Sequence, residues 1–188
     1  MARKKQRPVE VDQAVRIEEL NRDTIIGVGS KDQQHAFRLS RKTKRFLNEY
    51  FRKLGKPRQG APIVFAAVVI LALRKSNKDV TNIIIDTEYT GYEKLITIAV
   101  LGAFPKAVVT IRRIGKLSPA HFAAYGAHRG KKKATILTRK EVEMMVLAIR
   151  IQKDGRRTAS PGMNQDSQIH NRPVNRQYKK TSRKSKRR

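Results

Sequence analysis

The apolar positions of this chain change period as it proceeds, and each change marks an element. Between residues 14 and 40 the pattern alternates. Val15, Ile17 and Glu19 fall on one side of a first strand and Ala14, Arg16, Glu18 and Leu20 on the other, with a turn at Asn21-Arg22-Asp23. Thr24 to Gly29 reads as a second strand, Lys31-Asp32-Gln33 as a second turn, and His35 to Ser40 as a third strand. Short turns between such runs predict an antiparallel meander.

From Lys42 the spacing becomes helical. Phe46, Leu47, Tyr50, Phe51 and Leu54 recur on one face, with Gly55 as the stop. Lys56 to Gly60 reads as a loop, and Pro62 as the start of a helix to about Lys75. That helix is apolar on nearly all sides, which predicts a central buried position. Its apolar run, Ala61 to Leu73, is shorter than the ~20 residues of a membrane span. Then follow a strand Thr81–Ile85, a helix from Tyr92 to about Leu101, and a strand Ala107–Ile114. Ser118-Pro119 opens a further helix, since Ser caps and Pro fits the first turn. Thr138 and Glu141 form a capping-box pattern that opens a last helix to about Ile151.

Beyond Gly155 the periodicity stops. The chain divides into a basic arm over 1–10, an α/β domain over 11–151, and a basic tail over 152–188 too polar to offset its ordering entropy and therefore expected to be disordered.

Charge narrows the partner. The 188 residues carry 43 Lys and Arg against 15 Asp and Glu, a formal charge of +28. The tail accounts for 12 of the basic and 2 of the acidic residues, so a net +18 remains in residues 1–151. Self-repulsion on this scale calls for a polyanion, and nucleic acid, DNA or RNA, is the expected partner. An anionic membrane is disfavoured, because no amphipathic basic anchor stands out. The absence of cysteine excludes disulfides, zinc–thiolate sites and cysteine nucleophiles. No signal-peptide pattern and no small-molecule cofactor motif is found, and the chain reads as soluble and cytoplasmic.

The candidate chemistry centres on Ile83-Ile84-Ile85-Asp86-Thr87-Glu88-Tyr89-Thr90-Gly91. A β-branched run reads as a buried strand, and two carboxylates follow at its carboxyl end, where function gathers in open α/β sheets. Asp86 and Glu88 suit magnesium or manganese, which prefer oxygen ligands; capping the next helix or pairing with an arginine is the plainer role. His121 is a further ligand or base, or a satisfied helix histidine. Glu49 can be catalytic or can pair with Arg45 or Arg52 on its own helix. Arg112, Arg113 and Lys116 bracket a strand end, and Arg129, Lys131, Lys132 and Lys133 follow the His121 helix. No acid interrupts Ala107 to Lys140, so both clusters are expected to hold a phosphate backbone.

Three antiparallel strands, then helix, strand, helix, strand, helix is an order that resembles the ribonuclease H fold, shared by Holliday-junction resolvases, transposases and Argonaute nuclease domains. The resemblance implies a mixed sheet of about five strands with flanking helices. It also implies acids on the first strand, the first helix and the end of the fourth strand, and an Asp or His on the last helix. In Ile85-Asp86-Thr87-Glu88-Tyr89, Asp86 stands as the fourth-strand acid. In the segment Ile114 to Tyr125, His121 stands at the last position. Glu49 in Phe46-Leu47-Asn48-Glu49-Tyr50 is the helix candidate, and Glu19, or Glu18 on the opposite face, the first-strand candidate. Implied metal ligands are thus Asp86, Glu88, Glu19 and His121, with Glu49 as a catalytic partner. Two functions follow. One is a magnesium- or manganese-dependent nuclease acting on structured or hybrid nucleic acid. The other is a non-catalytic DNA- or RNA-binding protein, or ribonucleoprotein component, with a decayed metal site.

Overall fold

The computed structural model describes residues 8–76 and 80–158, with side chains through 152. Three strands come first: β1 (Val9–Ala14), β2 (Thr24–Gly29) and β3 (Gln34–Leu39). Two helices follow, α1 (Arg41–Lys53) and α2 (Pro57–Ser76). After them come β4 (Asn82–Ile85), α3 (Glu93–Ala103), β5 (Val108–Ile111), α4 (Pro119–His128), β6 (Thr135–Leu137) and α5 (Arg139–Thr158). All six strands join one mixed sheet in the order β5-β4-β1-β2-β3-β6. The meander is antiparallel, whereas β4 runs parallel to β1, β5 parallel to β4 and β6 parallel to β3.

Alternation along the strands sorts side chains to two faces. Val9 and Val11 of β1, Ile26 and Val28 of β2, Phe37 and Leu39 of β3, and Ile83 and Ile85 of β4 enter one large core. The helices α1, α2, α3 and α5 contribute to that same core. Its centre is α2, with Phe65, Ile70 and Leu73 almost wholly enclosed. Among the described residues α2 is the helix long and apolar enough to cross a membrane, yet 72% of its apolar window is buried by the rest of the fold. Burial of each such side chain stabilises by roughly 1.5–3 kcal/mol relative to exposure.

The opposite face is covered by α4 alone among the described helices. Ala124 and Ala127 of α4 meet Ile25 and Ala36 in a small second core. Here the backbone of β2 nearly touches that of α4. A Cβ on Gly27 would lie 2.1 Å from the Ala120 carbonyl oxygen, and one on Gly29 would lie 2.5 Å from the Ala120 nitrogen. Only glycine permits this approach.

Several expected boundaries move. The first strand is Val9–Ala14, not a run from Ala14 to Leu20, so Val9 and Glu10 of the expected arm are sheet residues. The alternation of Val15 and Ile17 belongs to a loop: Ile17 is buried, but Val15 adopts φ 66°, which breaks the strand. The sheet has six strands rather than about five, because the three-residue β6 is too short to register as a period. Of the expected Lys56–Gly60 loop, residues 57–60 form the first turn of α2, with Pro57 at its opening and Pro62 inside the helix. The last helix runs past Ile151 to Thr158, taking the first residues assigned to the tail; the rest of that expected tail, 159–188, lies outside the described residues.

Other expectations meet their elements closely. Ser118 caps α4, accepting from the Ala120 and His121 backbone nitrogens. Thr138 and Glu141 close the capping box reciprocally: the Thr138 N–H donates to Glu141 Oε2 at 2.8 Å, and the Glu141 N–H to Thr138 Oγ1 at 3.3 Å. The loop from Val15 to Asp23 is bolted from below by Lys44 of α1, 1% exposed, whose Nζ donates to the carbonyls of Arg16 and Glu19 and to Thr24 Oγ1. Burial pulls its pKa down to about 8.

Candidate metal centre

Register builds the site. Val11 pairs with Ile85 across parallel β1 and β4, and both point into the large core. The next residues, Asp12 and Asp86, therefore stand side by side on the α4 face. The Asp86 N–H still donates to the Val11 carbonyl at 2.9 Å, so the ladder reaches one residue past β4. Two residues on, Glu88 turns back toward them. Carboxylate oxygens of Asp12, Asp86 and Glu88 all lie within 4.8 Å of one another.

Each acid is held. Asp86 Oδ1 accepts from the Ile114 backbone nitrogen at 2.8 Å, which ties the loop after β5 to the cluster. Asp12 Oδ1 accepts from the Gln13 nitrogen at 2.8 Å, and its Oδ2 lies 2.8 Å from His121 Nδ1. With Asp12 ionised, Nδ1 carries the proton and Nε2 is left as the acceptor. The His121 ring lies parallel to Tyr125, 5.8 Å away. The Glu88 loop is fastened to the loop after β1. Arg16 Nε sits 3.7 Å from Glu88 Oε2, and Tyr89, packed on Phe65, accepts from the Ile17 N–H and donates to Glu18 Oε2 at 2.8 Å. Burial, more than the neighbouring Glu18, holds the Tyr89 hydroxyl protonated well above its ordinary range.

The electrostatics of the cluster are unfavourable as it stands. Burial pushes the Glu88 carboxyl up to about 7, and Asp86 and Asp12 add to the shift, while Arg16 opposes it. Asp12, 5% exposed, is also raised, because burial outweighs its hydrogen bonds from His121 and Gln13. Three acids forced together with one partly exposed arginine nearby form a donor set of oxygens suited to a hard divalent cation.

The predicted residues distribute unevenly. Asp86 and Glu88 lie in the cluster, and His121 adjoins it through Asp12. Glu19 does not reach it. It lies in the turn after β1, exposed, accepting from the Arg16 nitrogen and pairing with Arg22, which holds its carboxyl below the usual range. Glu18 is taken by Tyr89. Glu49 stands on α1, in the layer across the sheet from α4, half exposed and 3.5 Å from Arg52. Asp12 is the residue that the sequence reading passed over. Its signal was present in Val9-Glu10-Val11-Asp12, an alternation with acids on one side, but the neighbouring lysines and arginines made the segment look like an arm.

Arg112, Arg113 and Lys116 are exposed on the loop that supplies Ile114 to Asp86, beside the cluster. Arg129, Lys131, Lys132 and Lys133 are exposed beyond the far end of α4; Arg129 lies over the Tyr125 ring, and Lys132 donates to Gln34. No family model, no curated protein and no solved structure matches this chain.

Proposed function

We propose that this chain is a divalent-metal-dependent nuclease on a ribonuclease H-like scaffold, cutting phosphodiester bonds of structured or hybrid nucleic acid. The observation that carries the reading is the convergence of Asp12, Asp86 and Glu88 in a chain of charge +28. A protein so rich in cations has no electrostatic reason to crowd one buried and two half-buried acids together unless they hold a cation of their own. The element order and the placing of an acid on β1, an acid at the end of β4 and a histidine on α4 support the ribonuclease H-like reading. Glu88 stands in for the helix acid that Glu49 was expected to provide.

Asp12, Asp86 and Glu88 would hold magnesium or manganese. A metal held there would supply Lewis-acid activation of water and stabilisation of the leaving oxygen. The chain's own residues do the rest. Asp12 fixes the tautomer of His121, so that Nε2 takes or returns a proton at the edge of the cluster. Arg112, Arg113 and Lys116 hold the backbone on the β5 side, and their many phosphate contacts make affinity fall steeply with salt.

The test compares wild type with Asp12→Asn on labelled single-stranded, duplex, hybrid and branched substrates, with magnesium, manganese or EDTA. Cleavage should need the metal and fall more than about 100-fold in the variant, beyond the 10–100-fold typical of losing a residue that merely supports a ligand. Salt-sensitive binding without metal-dependent cleavage of any substrate would instead make this a binding protein whose acids are structural.

A further inference from the structure

A cavity of about 380 Å³ opens at the end of α4 remote from His121. Three guanidinium groups line it, from Arg22 in the turn before β2, Arg38 of β3 and Arg41 at the start of α1, together with His128 and one acid, Asp23. Arg38 pairs with Ile25 across β2 and β3 and points to the α4 face, opposite to its neighbours Phe37 and Leu39. Its Nε–H is buried and has no hydrogen-bond partner. A buried donor left unpaired costs about 1–3 kcal/mol; enclosed there, the Nε–H is a reporter on the Arg38 guanidinium and not itself the contact for a bound group.

The charges around the cavity are unevenly spent. Arg22 is paired with Glu19, on the turn. Asp23 accepts from the Arg41 backbone nitrogen at 2.8 Å. Among the described residues neither Arg38 nor Arg41 has a carboxylate in an ion pair. Three cations against one carboxylate leave a net positive pocket, and the guanidinium fork matches the oxygens of a phosphate side-on. We infer that this pocket binds a phosphate of the nucleic-acid backbone, two helical turns from the acid cluster.

The path between the two places is laid out on α4. His121 and His128 are seven residues apart, on nearly the same side of the helix and about 10 Å apart along its axis. Between them Tyr125 stacks on His121 and carries Arg129 on its ring. A strand with one phosphate at the Asp12–Asp86–Glu88 cluster can follow this ridge and seat a second phosphate against Arg38 and Arg41. Such a second anchor fixes the register of the strand, which the acids alone do not. The inference rests on the nucleic-acid reading above, though not on cleavage.

The experiment follows the Arg38 Nε–H resonance of the full chain in EDTA, so that cutting plays no part, during titration with a short oligonucleotide and, separately, with inorganic phosphate. The resonance should shift with the oligonucleotide. Arg41→Gln should weaken oligonucleotide binding about tenfold, the worth of one charged hydrogen bond, and lower the salt slope by about 0.7 for a single strand. Arg38→Gln should do the same, and Arg41→Gln keeps the test decisive if removing Arg38 unfolds the chain. A wild type that binds the oligonucleotide with this resonance unmoved overturns the pocket and leaves the nuclease reading standing. A shift with inorganic phosphate alone also overturns it, assigning the pocket to a free anion. A wild type that binds no oligonucleotide also overturns the pocket, and the cleavage comparison with metal then decides the nuclease reading by itself.

Discussion

The two faces of the sheet are built by opposite rules. On the α2 face, branched and aromatic side chains such as Ile26, Phe37, Phe65 and Ile85 fill a thick core shared by four helices. On the α4 face, β2 offers Gly27 and Gly29, α4 answers with alanines, and backbone approaches backbone. The first arrangement buries area and supplies stability. The second buries little, but it sets the height of α4 closely enough for His121 to reach Asp12. The large core and the acid cluster thus lie on different sides of the same strands, and substitutions on the two sides should fail in different ways.

The largest effect is expected on the thick face. Leu73→Ala should cost about 2–5 kcal/mol in denaturant melts, yet the fraction that stays folded should keep the His121–Asp12 hydrogen bond. Gly27→Ala comes next, at about 3 kcal/mol, the upper end of overpacking costs, because the new Cβ meets backbone that cannot rotate away. Its distinguishing outcome is functional: the His121 ring signals should lose the Asp12 hydrogen bond even in protein that remains folded. If Gly27→Ala leaves His121 undisturbed, the close approach is not what places the histidine.

Glu88→Gln is smaller and opposite in sign. The Glu88 carboxyl titrates near 7 when folded and near 4.5 when unfolded. Its contribution is intact below the unfolded value and is lost as pH rises through 7, so the metal-free protein should weaken over that window. At pH 8 the amide variant, which carries no such charge, should be more stable than wild type by about 2–3 kcal/mol. Magnesium should reverse the order by stabilising wild type alone; melts at pH 5 and 8, with and without metal, decide it. Glu49→Gln should change least. An exposed pair of this kind is worth about 0.5 kcal/mol, and cleavage rate should not move, whereas a marked loss of activity would return Glu49 to the site.

The same division explains what could be read from the sequence. Wherever the large core dictates the pattern, it is legible: the all-round apolar α2, the Ile83–Ile85 run and the Asp86 that ends it. Capping chemistry is local and equally plain, so Ser118-Pro119 located α4 and with it His121. The α4 face leaves a fainter trace. Gly27 and Gly29 read simply as part of the second strand, because what they accommodate is a helix some 90 residues later in the chain. Asp12 was lost for a related reason. One β1 face is acidic and the other carries just two valines in the core, too short a run to outweigh the basic residues before it and the misleading Val15 and Ile17 after it.

Asp12 and His121, whose side chains share a hydrogen bond, are 109 residues apart in sequence, and Asp86 enters between them. Contacts of such separation close late, since loop-closure entropy must be met before they return anything. The meander and its local turns can form while β4 and α4 are still undocked. In such an intermediate Asp12 is a solitary strand acid with no special affinity for a cation. The three carboxylates therefore come together only at the last docking event, and a partly folded chain carries its positive charge without the acid cluster.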